Sequence, residues 1–583
     1  MKLPQLNVLT TSEQVTAQFP GLDRNARSAD GTMSDMLNLT SDDYPLLSSR
    51  PRRTLLDVLV KPNGLIAKDK LAWVDNRNLF YGGEDLTDHL IDAGVHLTDS
   101  EKQLVSMGAY IIILPDKAYI NTQDYSDCGS IEADWVNEKD AAVNVCMEDG
   151  TAFDYTSGPT APEGPKNGQY WLDTSGEKDS MKVYSEATGI WTAMETVYCK
   201  ISCSGIGAQF KDDDGVTVSG TGNEQLDGSK ILYHVAPDSV IIIGLVDKGT
   251  TIPAGKLRLR RSMPDMDYAV ECSNRIWGCK YGIVDGKTVN EIYCCALGDF
   301  KNWERYAGNS MDSYRASVGT DGAWTGAITY LGYPLFFKER HLHKVYVSDT
   351  GAHQILDTAC RGVQEGCSKS LQVVNERLYY KSRSGVCVYD GSLPETAGYS
   401  LGPELFSQAV GGSIWNKYYL SMRGKKGWSL FVYDTYKAIW TKEDDTHALA
   451  MAALGDELYL LDAETKQLIG MTGQSDGEKE KTMPWNFTTN IMGYSDAGQK
   501  YVSRFSVRMK LDDGASAQFS IEYDSNGEWL PCGTITGHRL RSALLPIRPR
   551  RCDHFRVRAT GFGRMTIYSI SKIYEKGSDV CGY

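Results

Sequence analysis

Apolar and polar positions alternate along most of this chain with a period of two, in short runs broken by turn formers. That is the pattern of half-buried β-strands rather than of helices. The runs fall into a recurring phrase: an apolar strand, a polar reversal, then a second strand carrying a pair such as Leu-Tyr or Val-Tyr. It reads LAWVDNRNLFYGG from Leu71, LVSMGAYIIILPDKAYINT from Leu104, and AVECSNRIWGCKYG followed by NEIYCCALGD from Ala269. It returns as ITYLGYPLFFKERHLHKVYVSD from Ile328, LQVVNERLYYKSRSGVCVYDG from Leu371, VGGSIWNKYYLSMRGKKGWSLFVYDT from Val410 and MAALGDELYLLDAETKQLIG from Met451. Self-similarity at roughly 40 residues, with short strands and polar turns, predicts the blades of a β-propeller. Such a scaffold hosts many activities, so function has to be sought in what it carries.

The expected fold class is mainly β and multi-domain: a propeller, an inserted small β domain and a C-terminal antiparallel β-sandwich. The first blades span 61–128 and the remaining ones 269–475. Between them, over 129–268, the repeat breaks into Gly-, Asp- and Thr-rich sequence with Asp-Gly turns at Asp214-Gly215 and Asp227-Gly228, as in a small barrel or sandwich. Inserting a unit at a blade loop is tolerated because both ends of a hairpin lie close together. Over 476–583, SRFSVRMKL and DHFRVRAT place apolar side chains on one strand face and charges on the other, which predicts the sandwich. Residues 1–60 show no sustained period and read as an irregular N-terminal arm ending in Arg50, Arg52 and Arg53. Its apolar anchors, among them Phe19, Leu22, Met33 and Met36, make it too apolar for a free tail. It is expected to lie along its own propeller or to reach a neighbour.

Composition sharpens this in three places. Tyr (33) outnumbers Phe (14) and Gly (57) outnumbers Pro (19), which suits half-buried strands and tight hairpins. The formal net charge of −14 argues against a general phosphate-gripping surface, although an acidic wall would let DNA slide past without sticking. No signal peptide is expected from MKLPQLNVLTTSEQ, and YIIIL and VIIIGLV are far too short to span a membrane, so a cytoplasmically made, soluble protein is expected. The 14 cysteines lack paired zinc spacing and sit in apolar strands, so they read as reduced structural thiols.

Candidate chemistry is sparse. No phosphate-binding loop, strand-linked GxGxxG or nucleophile elbow occurs. His341 and His343 share one strand face and could chelate a metal, but read rather as two solvent-facing imidazoles on a propeller hairpin. KDDDGVTV from Lys211 lacks the ligand spacing of a calcium loop and reads as a hairpin turn. Propeller glycosidases work with paired carboxylates, and Asp349, Asp390, Asp434 and Asp462 recur near blade ends. Their equivalent positions suit turn formers better, and neither TDGAW nor DSNGEW keeps the sialidase repeat spacing. Trp171, Tyr184 and Trp191 in the insertion are candidates for stacking on a glycan, with core packing as the alternative. No enzyme activity, cofactor or metal is expected.

Several stretches together resemble the β-propeller tail nozzle (tail tubular) proteins of short-tailed bacteriophages and related prophage virion proteins. FPGLDRNARSADGTMSDMLNLTSDDYPLLSSRPRR resembles their opening. RRSMPDMDYAVECSNRIWGCKYG with NEIYCCALGDFKNW, and LPIRPRRCDHFRVRATGFGRMTIYSI, resemble later parts. PKNGQYWLDTS resembles a small module of phage tail and fibre proteins. The resemblance implies a structural virion protein that forms a ring, a hexamer, around the DNA exit channel below the portal and adaptor. It implies attachment of tail fibre or receptor-binding proteins outside, and DNA passing the lumen without sequence-specific binding. It also implies localisation in the phage tail after assembly in the host cytoplasm. Arg50, Arg52 and Arg53 would then be an assembly contact to an acidic neighbour, with pairing inside the chain as the alternative. The rival functions are a receptor- or glycan-binding tail component and, less favoured, a propeller glycan hydrolase.

Overall fold

The computed structural model describes residues 11–246, 250–348, 352–493, 498–537 and 539–576. The seven phrases fold into seven antiparallel blades, at 62–85, 103–130, 268–317, 326–359, 372–396, 409–444 and 448–470, numbered here 1 to 7. Each blade runs outward from an inner strand through tight turns, and several of these use left-handed residues such as Asn76, Asn274 and Asn375. Asn tolerates positive φ at little cost, which lets the reversals be short. The inner strands pack side by side around the ring, with the short helix Ser368–Ser370 bridging blades 4 and 5. Ala448–Leu454 of blade 7 returns against Pro62–Ala67 of blade 1 and closes it.

The ring is locked by a strand from the other end of the chain. Thr54–Val58 supplies the fourth strand of blade 7, antiparallel to Gln467–Gly470 and flanked outside by Glu478–Lys479, so blade 7 is completed by residues that precede blade 1. Cores between blades are aliphatic and aromatic. Leu458 and Leu460 pack with Leu430 and Val432 between blades 6 and 7.

The insertion begins after Ser130 and ends before Tyr268, because the strands Cys128–Ser130 and Tyr268–Glu271 belong to blades 2 and 3. A four-stranded and a five-stranded sheet pack around Val143, Ile201, Val218, Val240 and Leu259. A third, four-stranded sheet over 155–193 opens with a parallel pair, Tyr155–Gly158 beside Tyr170–Asp173.

The C-terminal unit is an antiparallel sandwich, but it is not made of C-terminal residues alone. Thr11–Thr16 pairs with Met565–Lys576, Met33–Leu37 with Pro484–Thr489, and Leu47–Ser49 with Met565–Lys576. The expected irregular arm is therefore corrected: residues 11–58 contribute strands to both sandwich sheets and to blade 7. Its first ten residues and the last seven of the sandwich segment lie outside the described residues. Local sequence hid these strands because their sandwich and blade partners are more than 400 positions away; only Leu47–Ser49 has a local partner as well, Leu39–Thr40. Phe19, Leu22, Met33 and Met36, anchors picked out by their apolarity, are at most 3% exposed. They join blades 4 to 6 and the sandwich in one continuous core.

Gly21 shows how closely this segment is held. It sits at φ +82°, and a Cβ there would meet the Trp440 carbonyl oxygen at 2.4 Å. The amide of Leu22 donates to that same oxygen at 2.7 Å.

Candidate functional site

The propeller axis, where such scaffolds commonly hold ligands, has a mixed lining of apolar and polar side chains. A cavity of about 540 Å³ is lined by residues of all seven inner strands, including Leu65, Leu104, Val270, Ile328, Val410 and Met451. Its two carboxylates are each held by a lysine: Glu101 by Lys369 at 2.7 Å and Asp267 by Lys280 at 2.8 Å. Lys369 also donates to the Leu449 carbonyl, so this cation spans from one blade to another across the mouth. Such an arrangement ties blades together.

The arginine cluster divides. Arg50 (2% exposed) and Arg53 (5%) turn inward, while Arg52 faces solvent. Arg53 bonds Glu443 at 2.8 Å and Asp444 at 2.6 Å, both on the outer strand of blade 6. Arg50 clasps both carboxylate oxygens of Glu480 and donates to Asn38. Glu480 also accepts the Arg53 amide. Burial alone would push the Asp444 carboxyl up, but Arg53 and Thr446 outweigh it and hold it at about 2. The expectation of an assembly contact is thus corrected for Arg50 and Arg53, whose guanidinium groups are used within the chain, bolting blade 6 to the sandwich. Arg52 keeps that possibility.

The aromatic residues of the insertion do meet. Trp191 stands across the strand pair from Tyr184, with ring centroids 5.4 Å apart, and edge-on to Trp171 at 5.4 Å. Trp171, however, is buried: its indole N–H donates to the Gly158 carbonyl at 3.0 Å and Lys182 lies over its ring. It is a packing residue, which removes one of the three expected stacking platforms. Tyr184 and Trp191 are half-buried.

His343 is not a surface imidazole. It is 1% exposed, edge-on to Trp324 at 5.0 Å and hydrogen-bonded to the Thr320 hydroxyl at 2.9 Å. Burial pulls its pKa down to about 4. His341 pairs instead with Asp357 at 2.9 Å. Among the described residues, no group of three or more His, Cys, Asp or Glu is placed to hold a metal ion. Asp390, Asp434 and Asp462 each accept backbone amides two or three positions on, as turn formers do. Asp349 lies outside the described residues. In KDDDGVTV, Asp214 is buried and pairs with Arg261 at 2.7 Å, inside the insertion core. All thirteen described cysteines are free, and burial raises most of their thiols, Cys146 and Cys367 to about 11.

One exposed surface was not singled out from sequence. The sandwich strand Lys500–Leu511 buries Phe505, Val507, Met509 and Leu511 at no more than 1% exposure. The opposite face therefore presents Arg504, Arg508 and Lys510 to solvent. Among the described residues none of the three forms an ion pair. The alternation in SRFSVRMKL signalled the exposed face; the absence of counter-charges needed the fold.

No family model and no curated protein matches the chain. Among solved structures, the computationally designed Ika8 protein is similar over 77% of this chain and 99% of its own, at 10% identity and TM-score 0.32. Phage phi92 endosialidase is similar over 75% of this chain and 68% of its own, at 9% identity and TM-score 0.24. An exo-β-1,3-galactanase from Phanerochaete chrysosporium covers 52% of this chain and 94% of its own, at 9% identity and TM-score 0.20. At these scores the likenesses carry no argument about activity. Among the described residues no helix is long and apolar enough to cross a membrane.

Proposed function

We propose that this protein is a structural component of a bacteriophage tail, one of the copies in a ring around the DNA exit channel below the portal and adaptor. The observation that supports it most is how the two ends of the chain meet. The opening stretch from Phe19 to Arg53 and the late stretch from Leu545 to Ile570 each resemble nozzle proteins, and they pair strand to strand in one sandwich. Segments more than 490 positions apart thus form one unit in the fold. The axis, its carboxylates tied up in ion pairs, suits a scaffold whose wide faces bind neighbours. Rigid blades with protected edges serve that role.

Cryo-electron microscopy of the intact particle carrying this protein tests the reading. It predicts density in a closed ring on the tail axis beneath the portal. Density confined to the periphery or to the distal tip overturns it and favours a receptor-binding component. The half-buried Tyr184–Trp191 pair is the feature that would then take a sugar.

A further inference from the structure

The two ends of this molecule carry opposite charge and lie on opposite sides of the propeller. Between positions 484 and 576 the chain has 14 Lys and Arg against 8 Asp and Glu; between 131 and 266 it has 12 against 21. The sandwich is seated on the outer strand of blade 6. The insertion leaves the ring between blades 2 and 3. In a closed ring of seven, that point is three and a half blades from blade 6, half a turn away.

The basic end has a defined surface. Arg504, Arg508 and Lys510 project from alternate positions of one strand, and Leu544, 59% exposed on the neighbouring strand, lies beside Ser506 in the same face. Lys510 and the exposed Arg52 line one shallow cleft, so the row continues into the arginine of the N-terminal cluster that has no ion pair among the described residues. The carboxylates nearby include Asp512 and Asp513 at the end of the row, Glu575 on the adjacent strand opposite Tyr501, and Glu13, which accepts from Ser571. At the acidic end, Glu148 and Glu195 are exposed beside the paired positions Cys146 and Tyr198, with no ion pair among the described residues.

We infer that the cation row Arg504–Arg508–Lys510–Arg52 docks on the acidic insertion of a second copy of this chain. The inference rests on the ring reading and names its interface. The occupant follows from charge complementarity: the chain carries the matching charge on its own far side, and a head-to-tail contact between unlike patches repeats from copy to copy and closes into a ring when the rotation allows. Exposed cations opposite exposed carboxylates steer such an encounter, and salt weakens it. Leu544 supplies apolar area that charge alone does not. DNA, the other polyanion such a row could meet, has no built site here: the row is a single strand's worth of charge on a protein of net −14.

The test is sedimentation velocity of the full chain at low and high ionic strength. The wild type is expected to sediment as an oligomer at low salt and to dissociate as salt rises. R504E/R508E/K510E, with an unchanged melting temperature, is expected to be monomeric, as is E148K/E195K. Mixed together, the two variants should recover the oligomer, because each supplies the charge the other has lost. A wild type that is monomeric at every salt concentration overturns the inference, as does a triple variant that still assembles or a mixture that does not. Salt-sensitive binding of a short DNA duplex through the row by a monomeric wild type would replace it with a nucleic-acid surface. The two readings fail separately. An on-axis ring in particles carrying the triple variant removes this interface and leaves the ring, whereas off-axis density with intact self-association does the reverse.

Discussion

Two cation clusters in this chain behave in opposite ways. Arg50 and Arg53 are buried where blade 6 meets the sandwich, each with carboxylates within 3 Å; Arg504, Arg508 and Lys510 stand on the sandwich's outer face without ion-pair partners among the described residues. In sequence the first cluster looks the more functional, being dense and terminal. In the fold it is a bolt, and the second, spread over alternate positions of an ordinary strand, is the free surface. What separates them is whether the fold brings carboxylates to them, which residue type does not tell. The clusters should therefore respond differently to substitution.

The largest effect is expected at the bolt. Arg53→Ala leaves Asp444 without its cation and Glu443 with only Arg50, 3.7 Å away, in a buried site, which costs about 3–5 kcal/mol. Thermal or urea unfolding should show that loss. Replacing Arg53, Glu443 and Asp444 together by Met, Leu and Asn should recover most of it, since no carboxylate bonded to Arg53 is then left without its cation. A loss below about 1 kcal/mol in R53A, the range of an exposed pair, would mean that the network is solvated and the contrast is false.

Next comes His343, a buried group with a depressed pKa. Folded, it stays neutral down to about pH 4, while in the unfolded chain it takes up a proton near pH 6.5. Between those values the unfolded state binds the extra proton, so stability falls as pH drops from 6.5 to 4 and is unaffected above 6.5. The full drop is worth at most about 3 kcal/mol. His343→Gln should flatten the stability profile in that window and leave the Asp444 contribution, lost only as pH falls from about 4 towards 2. An unchanged profile between pH 6.5 and 4 would place the proton-sensitive group elsewhere.

The same contrast explains what was legible in the sequence. Blades were readable because their hairpins close within about fifty residues, the strand Thr54–Val58 of blade 7 excepted, so alternation and turns lie together in the text. The sandwich face was readable for the same reason, since SRFSVRMKL states its own inside and outside. The N-terminal strands were not, because Thr54–Val58 and Met33–Leu37 find their partners at 467–470 and 484–489. Candidate site residues suffered likewise. His343 reads as a surface group until Trp324 and Thr320 are seen to cover it, and only the fold decides for Trp171 between stacking and packing, by placing Gly158 and Lys182 against it.

A smaller effect is expected where the arm passes blade 6. Gly21→Ala places a Cβ against the Trp440 carbonyl at a positive φ, and strain of this kind costs about 1–3 kcal/mol. The loss should appear in global unfolding, because the arm, blade 6 and the sandwich share one core. If G21A instead loosens only the amides of residues 19–24 in hydrogen exchange, the arm is a separate, weaker unit.

The smallest effect on stability belongs to the free row, and its smallness is the point. Arg508→Ala removes a charge with no partner to strand, so its unfolding free energy should stay within about 0.5 kcal/mol of wild type. Three such losses at Arg504, Arg508 and Lys510 should remain near additive, since the side chains share no bonding partner. A protein that keeps unpaired cations on an exposed sheet face gains no folding energy from them, and removing like charges from a row slightly relieves repulsion. A marked destabilisation by R508A would therefore mean that the row is paired within the chain after all. It would then be a second bolt, and the distinction between the clusters would dissolve.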